Sequence, residues 1–330
     1  MISRKYPLTR LRRLRQSESI IKLTSECGIT ADDLIQPLFV KEDLVDKEPI
    51  ESMPGIFRFG EEAILKEIEE IEQLGIRAVA MFPVIDPLKK DSTGSEATKR
   101  NNLISRVLSS VKSKFPNMLV IADVALDPYT DHGHDGVLEN DKILNDQTLE
   151  VLAEQSVILA EAGADIIAPS DMMDGRIGVI RKELDKNKYE NKIILSYAAK
   201  YNSKYYGPFR DAVNSKNNLG ISDKSSYQMN PTNSHEALHE VAMDIEEGAD
   251  IVMVKPGMPY LDIISKIKEE FKIPTFAYQV SGEYTMIMES VNKGWLDKGV
   301  IIESITSFKR AGADAVLSYF AKDLIKELNL

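Results

Sequence analysis

The chain has 330 residues, 43% of them hydrophobic, and a formal net charge of -11. This length and composition suit a soluble globular protein with one large α/β domain or two small ones. The acidic balance argues against nucleic acid or an anionic membrane as a partner for the body of the protein. Cys27 is the single cysteine, which excludes intrachain disulfides and multi-thiolate metal sites and favours a cytoplasmic protein.

Residues 1–30 lack a long apolar period and contain a basic cluster. The cluster comprises Arg4, Lys5, Arg10, Arg12, Arg13 and Arg15. No apolar stretch follows it, so the pattern predicts neither a signal peptide nor a membrane anchor. We interpret this segment as an N-terminal arm that makes subunit contacts and lies outside the main core.

Beyond the arm, apolar β-rich runs alternate with stretches that have helical spacing. The eight candidate strands are Asp33–Val40, Arg77–Val84, Leu119–Leu126, Ala164–Pro169, Ile193–Tyr197, Ala249–Val254, Thr275–Val280 and Ala313–Tyr319. The clearest helical stretches are Glu61–Leu74, Thr148–Ala162, His235–Glu247 and Ile302–Arg310. This alternation predicts parallel βα units.

The junctions from helix to strand nearly repeat, with Gly-Ala-Asp beginning at Gly163, Gly248 and Gly312. A glycine after a helix is typical of a C-terminal cap, and here a strand follows at once. Eight such units predict a (β/α)8 TIM barrel over residues 31–330. A doubly wound open sheet is the alternative, but no Gly-rich phosphate motif follows the first strand.

In such a barrel, catalytic groups lie where strands end. The sixth run, within GADIVMVKPGMPY, is followed by Lys255, and Lys200 comes after the fifth. Two ammonium groups in one pocket depress each other's pKa, which leaves at least one amine able to attack a ketone. A strand-end lysine that simply reaches water is the alternative. The long polar segment from about residue 205 to 228 suits an active-site lid that binds carboxylates, with an ordinary surface insertion as its alternative.

The third strand leads into a loop rich in carboxylates and imidazoles. Its members are Asp127, Asp131, His132, His134 and Asp135. This set favours a hard cation such as magnesium and tolerates zinc. Asp and Gly also favour turns without any metal, so a plain turn is the alternative.

A second motif, HEALH from His235 to His239, spells H-E-x-x-H, the zinc motif of metallopeptidases. Its helix falls between the fifth and sixth strands, on the outer wall of the predicted barrel. No further histidine follows it in the chain. A solvated helix with two histidines is therefore the better interpretation.

Together these residues resemble the porphobilinogen synthase family, also called 5-aminolevulinate dehydratase. The similarity runs from about Pro7 to Tyr319 and includes the lysine segment Gly248–Tyr260. The other similar motifs are SYAAKYNSKYYGPFR, PSDMMDGR, SYQMNP and YQVSGEY. The resemblance implies a (β/α)8 barrel with an N-terminal arm and a homo-octamer built from dimers. It also implies a lyase of heme biosynthesis that condenses two 5-aminolevulinate molecules to porphobilinogen with loss of two waters.

The resemblance further implies a Schiff base on each of two lysines. Lys255 would bind the substrate that becomes the propionate side, with Ser281 and Tyr319 holding its carboxylate. Lys200 would bind the substrate that becomes the acetate side.

Five more positions are implied to contact substrate. Arg210 and Gln228 would hold the carboxylate of the second substrate. Asp123 and Ser170 would line the pocket and orient amine or imine groups. Lys224 stands where many members of the family have arginine, and a lysine cannot make the same bidentate contact with a carboxylate.

Zinc-dependent members carry three cysteines in the third-strand loop, where this chain has alanine and two aspartates. The resemblance therefore points to the magnesium-responsive branch, with no catalytic zinc expected. Its allosteric magnesium site would map to Glu240, with Asp171 and Arg176 in the surroundings. A monovalent cation or magnesium at Asp127 and Asp135 is left open.

A class I Schiff-base aldolase is the alternative enzyme, because its chemistry needs one lysine rather than two. A barrel without activity that serves only as an assembly unit is disfavoured, since both lysines and the lid residues are present.

Overall fold

The computed structural model of the chain describes residues 4–213 and 224–328. Its strands are β1 Leu34–Lys41, β2 Lys47–Pro49, β3 Phe57–Phe59, β4 Ala78–Val84, β5 Leu119–Val124, β6 Leu138–Glu139, β7 Lys142–Ile143, β8 Ile166–Pro169, β9 Ile193–Lys200, β10 Ile251–Lys255, β11 Thr275–Gln279 and β12 Ala315–Ser318. Eight of them, β1, β4, β5 and β8 to β12, pair in parallel in that order, and β12 pairs back onto β1. This closed barrel confirms the predicted fold, and each predicted strand overlaps one barrel strand.

The helices are α1 Glu18–Leu23, α2 Glu61–Gln73, α3 Leu103–Lys114, α4 Asn145–Glu161, α5 Arg176–Lys186, α6 Gly207–Ala212, α7 His235–Glu246, α8 Leu261–Phe271, α9 Ser281–Asn292, α10 Gly299–Ala311 and α11 Ala321–Leu328. In α2, Ile64, Ile68 and Ile71 follow helical spacing and are fully buried. Such an apolar stripe is what fixes a helix against the strands. None of the helices in the described residues is long and apolar enough to cross a membrane.

The repeated Gly-Ala-Asp junctions have one structural explanation. Gly163 and Gly248 both have φ of 109° and Gly312 has φ of 108°, in the left-handed region that favours glycine. Each glycine therefore ends a helix and turns the chain directly into the next barrel strand.

The aspartate of each junction bonds to the neighbouring strand. Asp250 Oδ2 accepts a hydrogen bond from the backbone N–H of Ile194 at 2.8 Å and pairs with Arg181 Nη2 at 2.6 Å. The equivalent backbone bonds join Asp165 to Val120 and Asp314 to Thr275. Each aspartate of the repeat therefore bonds its own strand to the start of the neighbouring strand, which fixes their relative position around the barrel.

Most of residues 4–30 lies outside the barrel core, although Ile29 packs against it. The short 3-10 helix Leu11–Arg15 and α1 bury none of their side chains. The large exposed apolar side chains of this segment are Tyr6, Leu8, Leu11, Leu14, Ile21 and Leu23. The assignment of residues 1–30 as a subunit-contacting arm stays a prediction.

A buried ion pair joins two helices to the barrel. Arg176 of α5 lies 3.1 Å from Asp244 Oδ2 of α7 through Nη2 and 3.3 Å from Oδ1 through Nη1. Ser196 of β9 bonds to both partners, and all three residues are at most 5% exposed. Removal of one partner would leave an uncompensated charge in the interior.

We expect Asp244→Ala to lower the free energy of unfolding by about 3–5 kcal/mol, because the Arg176 guanidinium loses its nearest charged partner and Asp171, at 3.8 Å, is a more distant one. Urea unfolding at fixed protein concentration measures the loss. The control is Glu183→Ala, which removes a surface pair with Lys186 and should lower stability far less than Asp244→Ala does. Equal losses in the two variants would contradict a structural role for the buried pair.

Candidate active site

The two predicted lysines lie side by side at the same end of the barrel. Lys200 is the last residue of β9 and Lys255 the last of β10, and the two are register partners in the sheet. They are 5% and 7% exposed, respectively, so neither side chain simply reaches water. Strand pairing therefore places both amines in one buried region.

Lys255 is surrounded by aromatic rings. Its Nζ lies 4.7 to 5.4 Å from the ring centroids of Tyr278, Tyr197, Phe209 and Tyr206. No carboxylate of residues 4–213 or 224–328 forms an ion pair with it. Burial, and then the neighbouring Lys200 ammonium, lower the pKa of Lys255 to about 7. A substantial share of this side chain is a neutral amine at neutral pH, as a carbonyl nucleophile requires.

Lys200 has a different environment. Its Nζ lies 3.4 Å from Asp135 Oδ2 and also donates a hydrogen bond to the backbone carbonyl of Ser170. A carboxylate partner favours the charged form of an amine. The two lysines therefore differ, with Lys200 paired to an acid and Lys255 enclosed by rings.

Lys224 occupies the space between the two aspartates of the third-strand loop. Its Nζ lies 3.1 Å from Asp127 Oδ2 and 2.9 Å from Asp135 Oδ1. Burial by itself lowers the pKa of Lys224, but the two carboxylates outweigh it and raise the pKa. Burial likewise opposes ionisation of Asp135, yet Lys200 and Lys224 hold its pKa below the usual range. The sequence assigned Lys224 to substrate, and the structure shows that its ammonium also binds these aspartates.

The imidazoles of this loop face other partners. His134 is buried, and its Nδ1 lies 3.1 Å from the Tyr227 hydroxyl. His132 is half-buried, and its Nε2 lies 3.1 Å from the backbone carbonyl of Ser92. Neither ring joins the aspartates in a common set.

A cleft of about 420 Å³ opens at this end of the barrel. Its lining residues are Asp127, Lys200, Tyr206, Phe209, Arg210, Lys224, Gln228, Lys255, Tyr278, Val280 and Ser281. Three of the predicted substrate-binding residues, Asp123, Ser170 and Tyr319, are not among these lining residues. Tyr319 lies behind Tyr278, and their hydroxyls are 2.9 Å apart.

Polar groups without protein partners mark where a ligand could bind. Gln228 Oε1 and Asp123 Oδ1 are buried and lack a hydrogen-bond partner among the described residues. Burial raises the pKa of Asp123 to about 7, although the Lys255 ammonium opposes the shift. The Ser170 hydroxyl bonds to Asp123. A buried acid that titrates near neutral pH suits proton transfer.

The predicted allosteric residues lie away from the cleft lining. Glu240 is half-buried on α7, and burial raises its pKa to about 7 against the opposing charge of Arg176. Asp171 is fully buried, with its Oδ2 3.8 Å from Arg176 Nε. Asp171 and Arg176 thus belong to the ion-pair network behind β9.

The H-E-x-x-H motif does not form a zinc site within the described part of the chain. His235 and His239 are exposed on α7, and Glu236 accepts a hydrogen bond from Asn233 Nδ2 at 2.6 Å. No group of three His, Cys, Asp or Glu side chains in residues 4–213 and 224–328 could hold a metal ion. The interpretation of a solvated helix agrees with these positions.

The aromatic shell of Lys255 is the main feature that sequence reasoning missed. All four rings occur in two of the family motifs, SYAAKYNSKYYGPFR and YQVSGEY, but the sequence assigned them no role. Alternation along β9 and β11 could have pointed Tyr197 and Tyr278 into the barrel. Their meeting at one amine depends on the closure of the sheet.

Comparison with known proteins now decides the family. The model of the family described as delta-aminolevulinic acid dehydratase matches residues 8–327. The chain belongs to the delta-aminolevulinic acid dehydratase family. The Bradyrhizobium diazoefficiens member is 50% identical over 97% of this chain and 90% of its own, and the Methanothermus sociabilis member is 48% identical over 98% and 100%.

A solved structure of the family agrees with the fold. The delta-aminolevulinic acid dehydratase of Toxoplasma gondii ME49, in complex with the reaction product porphobilinogen, superimposes with a TM-score of 0.95. It is 46% identical, and the match covers 97% of this chain and 91% of that one. These findings confirm the prediction of a porphobilinogen synthase, a lyase of tetrapyrrole biosynthesis.

We expect covalent trapping of 5-aminolevulinate on Lys255 to become faster as pH rises and to level off above about 7, because the neutral amine attacks the ketone. Brief incubation at each pH, borohydride reduction and mass spectrometry measure the profile. Lys200→Met removes the neighbouring ammonium, so the midpoint should move to higher pH. Lys186→Met, at an exposed lysine, is the control. A midpoint that stays in place in Lys200→Met would show that Lys200 does not tune Lys255.

Proposed function

We propose that this porphobilinogen synthase joins its two substrates through Schiff bases on Lys255 and Lys200. The observation that carries the proposal is the pair of buried lysines in register at the ends of β9 and β10, in one cleft. A single-lysine aldolase would not require the second buried amine. Two amines provide for two ketones, one for each molecule of 5-aminolevulinate.

Lys255 acts first, because its pKa of about 7 leaves a large fraction of its amine neutral at neutral pH. Its nitrogen bonds to the ketone carbon, and the former ketone oxygen leaves as water. The imine formed is an electron sink, so the neighbouring carbon can lose a proton. The rings of Tyr278, Tyr197, Phe209 and Tyr206 exclude water that would hydrolyse this imine.

Lys200 must lose a proton before it attacks the second ketone. Asp135 is a poor acceptor because its pKa is held below the usual range. Asp123 has a pKa of about 7 and a carboxylate oxygen without a protein partner, so we assign it as the acid and base of the cleft. Ser170 then orients Asp123 through its hydroxyl.

Two sets of residues receive the substrate carboxylates. Ser281, which lines the cleft, and Tyr319 behind Tyr278 hold the first, and Arg210 and Gln228 hold the second. Gln228 would donate to the carboxylate through its Nε2 amide, whereas its unpartnered Oε1 is an acceptor and needs a donor, such as the amine of a substrate.

Lys224 supplies the positive charge of the third-strand loop in this proposal. Zinc of the three-cysteine kind does not fit, because the loop has no thiolate and Cys27 lies elsewhere in the chain. A monovalent cation or magnesium at Asp127 and Asp135 would have to displace an ammonium 3.1 and 2.9 Å from their oxygens. The pairing therefore favours Lys224 over a cation at this position.

Magnesium is assigned to Glu240, outside the cleft. A single half-buried carboxylate fits magnesium, which keeps several waters and needs only one or two protein ligands. Bound there, the ion would neutralise a carboxylate that burial makes costly to ionise. We propose that this site regulates activity through subunit assembly.

Residues 1–30 are assigned to that assembly. Leu8 and Leu23 of this segment are 84% and 80% exposed, and large apolar side chains in such number need a covering partner. A homo-octamer built from dimers is the assembly we propose. The cytoplasmic location and the lid at about residues 205–228, of which 214–223 lie outside the described residues, stay predictions.

Chelator-treated protein should convert 5-aminolevulinate to porphobilinogen when magnesium is added back, without a need for zinc. Lys200→Ala should lower this activity by about 10³-fold or more, because the second Schiff base is lost. Product formation is followed directly, and Lys186→Ala is the control. Substantial porphobilinogen formation in Lys200→Ala would show that one lysine suffices for the condensation, and product formation that needs zinc would overturn the metal assignment.

We expect Glu240→Ala to abolish the stimulation by magnesium while basal turnover continues, because Glu240 lies outside the cleft lining. Porphobilinogen formation and oligomer mass, measured with and without magnesium, test this. Glu246→Ala, at an exposed carboxylate on the same helix, is the matched control. An unchanged magnesium response in Glu240→Ala would reject the site.

A further inference from the structure

An arginine outside the barrel donates hydrogen bonds to the C-terminal end of α6. Arg58 belongs to β3, which pairs with β2 as an antiparallel hairpin and with the end of β1 in parallel. Its side chain crosses to α6, the helix directly after Lys200 that carries Phe209 and Arg210. Neither Arg58 nor the hairpin lines the cleft.

The contact is a double hydrogen bond to the end of α6. Arg58 Nε donates to the backbone carbonyl of Ala212, and Nη2 donates to that of Asp211, both at 2.6 Å. The last carbonyls of a helix have no partner within it and carry partial negative charge. A guanidinium matches two such carbonyls at once, because its N–H groups form a rigid fork.

Other contacts hold Arg58 in place. Nη1 lies 3.1 Å from Glu48 Oε1, and the arginine is only 8% exposed. In the loop between β2 and β3, Ser52 Oγ donates to Asp211 Oδ2 at 2.5 Å, and the Ser52 carbonyl accepts from Thr285 Oγ1 at 2.8 Å. The hairpin, α6 and α9 therefore form one bonded unit.

This unit sets the position of two cleft residues. The Phe209 backbone N–H donates to Ser281 Oγ at 2.8 Å, and its ring meets Phe82 edge-on at 5.3 Å. These contacts hold the first half of α6, on the side of Lys255. Arg210 follows, and the carbonyls held by Arg58 come in the next two residues. A shift of the helix end would move Arg210 more than Phe209.

We propose that Arg58 is a positioning residue for the reaction, which fixes the C-terminal end of α6 so that Arg210 meets the substrate carboxylate on the Lys200 side. The proposal rests on the proposed role of Arg210 in the two-lysine condensation. Arg58 itself contacts no substrate and acts through the helix. Loss of the two hydrogen bonds from Arg58 to α6 should therefore weaken binding of the substrate on the Lys200 side and leave the substrate on the Lys255 side less affected.

The test compares Arg58→Met and Arg58→Lys with the wild type in the full-length protein. For Arg58→Met we expect KM for 5-aminolevulinate to rise about tenfold, as for the loss of hydrogen bonds from a charged group. Borohydride trapping should fall at Lys200 and persist at Lys255. Arg58→Lys keeps one bond, so its KM should lie between those of Arg58→Met and the wild type.

A double-mutant cycle identifies the route of the effect. In an Arg210→Met background, Arg58→Met should change KM no further, because the side chain that it positions is gone. If Arg58→Met raised KM by the same factor with and without Arg210→Met, the proposal would be overturned. Equal losses of trapping at Lys200 and Lys255 would also overturn it. Arg181→Met is the control, since Arg181 donates to the backbone carbonyl of Lys192 at 2.9 Å outside the cleft.

Hydrogen exchange separates this proposal from the catalytic one. The amides of residues 207–213 should exchange faster in Arg58→Met than in the wild type, whether or not the protein makes porphobilinogen. Unchanged exchange there would overturn the role of Arg58. Wild-type protein that traps substrate at neither lysine, with faster exchange in Arg58→Met, would instead reject the two-lysine chemistry and leave the helix contact established.

Discussion

Burial of two ammonium groups at adjacent strand ends is the constraint on which the rest of the cleft depends. A charge removed from water needs a partner or a lost proton, because its desolvation costs several kcal/mol. Lys200 has Asp135 at 3.4 Å, whereas Lys255 is enclosed by four rings and has a pKa of about 7. One register pair in the barrel thus places one amine beside a carboxylate and encloses the other in aromatic rings, where burial lowers its pKa.

Charge balance in the cleft follows from the same constraint. Asp135 lies between two ammonium groups, those of Lys200 and Lys224, and Asp127 shares the second. Lys200 and Lys224 therefore provide positive charge beside the two aspartates of this loop. Asp123 is a buried carboxyl group that forms no ion pair within the described part of the chain, and its raised pKa makes it suited to exchange protons with a substrate.

Contacts between distant segments hold this arrangement in place. Arg58 bonds to a carbonyl 154 residues later, at the end of the helix that carries Arg210. Arg176 joins α5 to α7 behind β9, and so supports the strand that ends in Lys200. In the proposed mechanism, helices and the hairpin outside the barrel act on the chemistry, because packed elements transmit strain.

The sequence by itself determined the barrel, the glycine-capped junctions and the two lysines at strand ends, because periodicity, caps and strand termini are local properties of the chain. Its family motifs also indicated the reaction. Only the tertiary structure decided that Lys224 binds Asp127 and Asp135, that aromatic rings surround Lys255, and that Arg58 caps α6. The partner of a buried charge depends on which segments the closed sheet brings together, and spacing along the chain does not encode that.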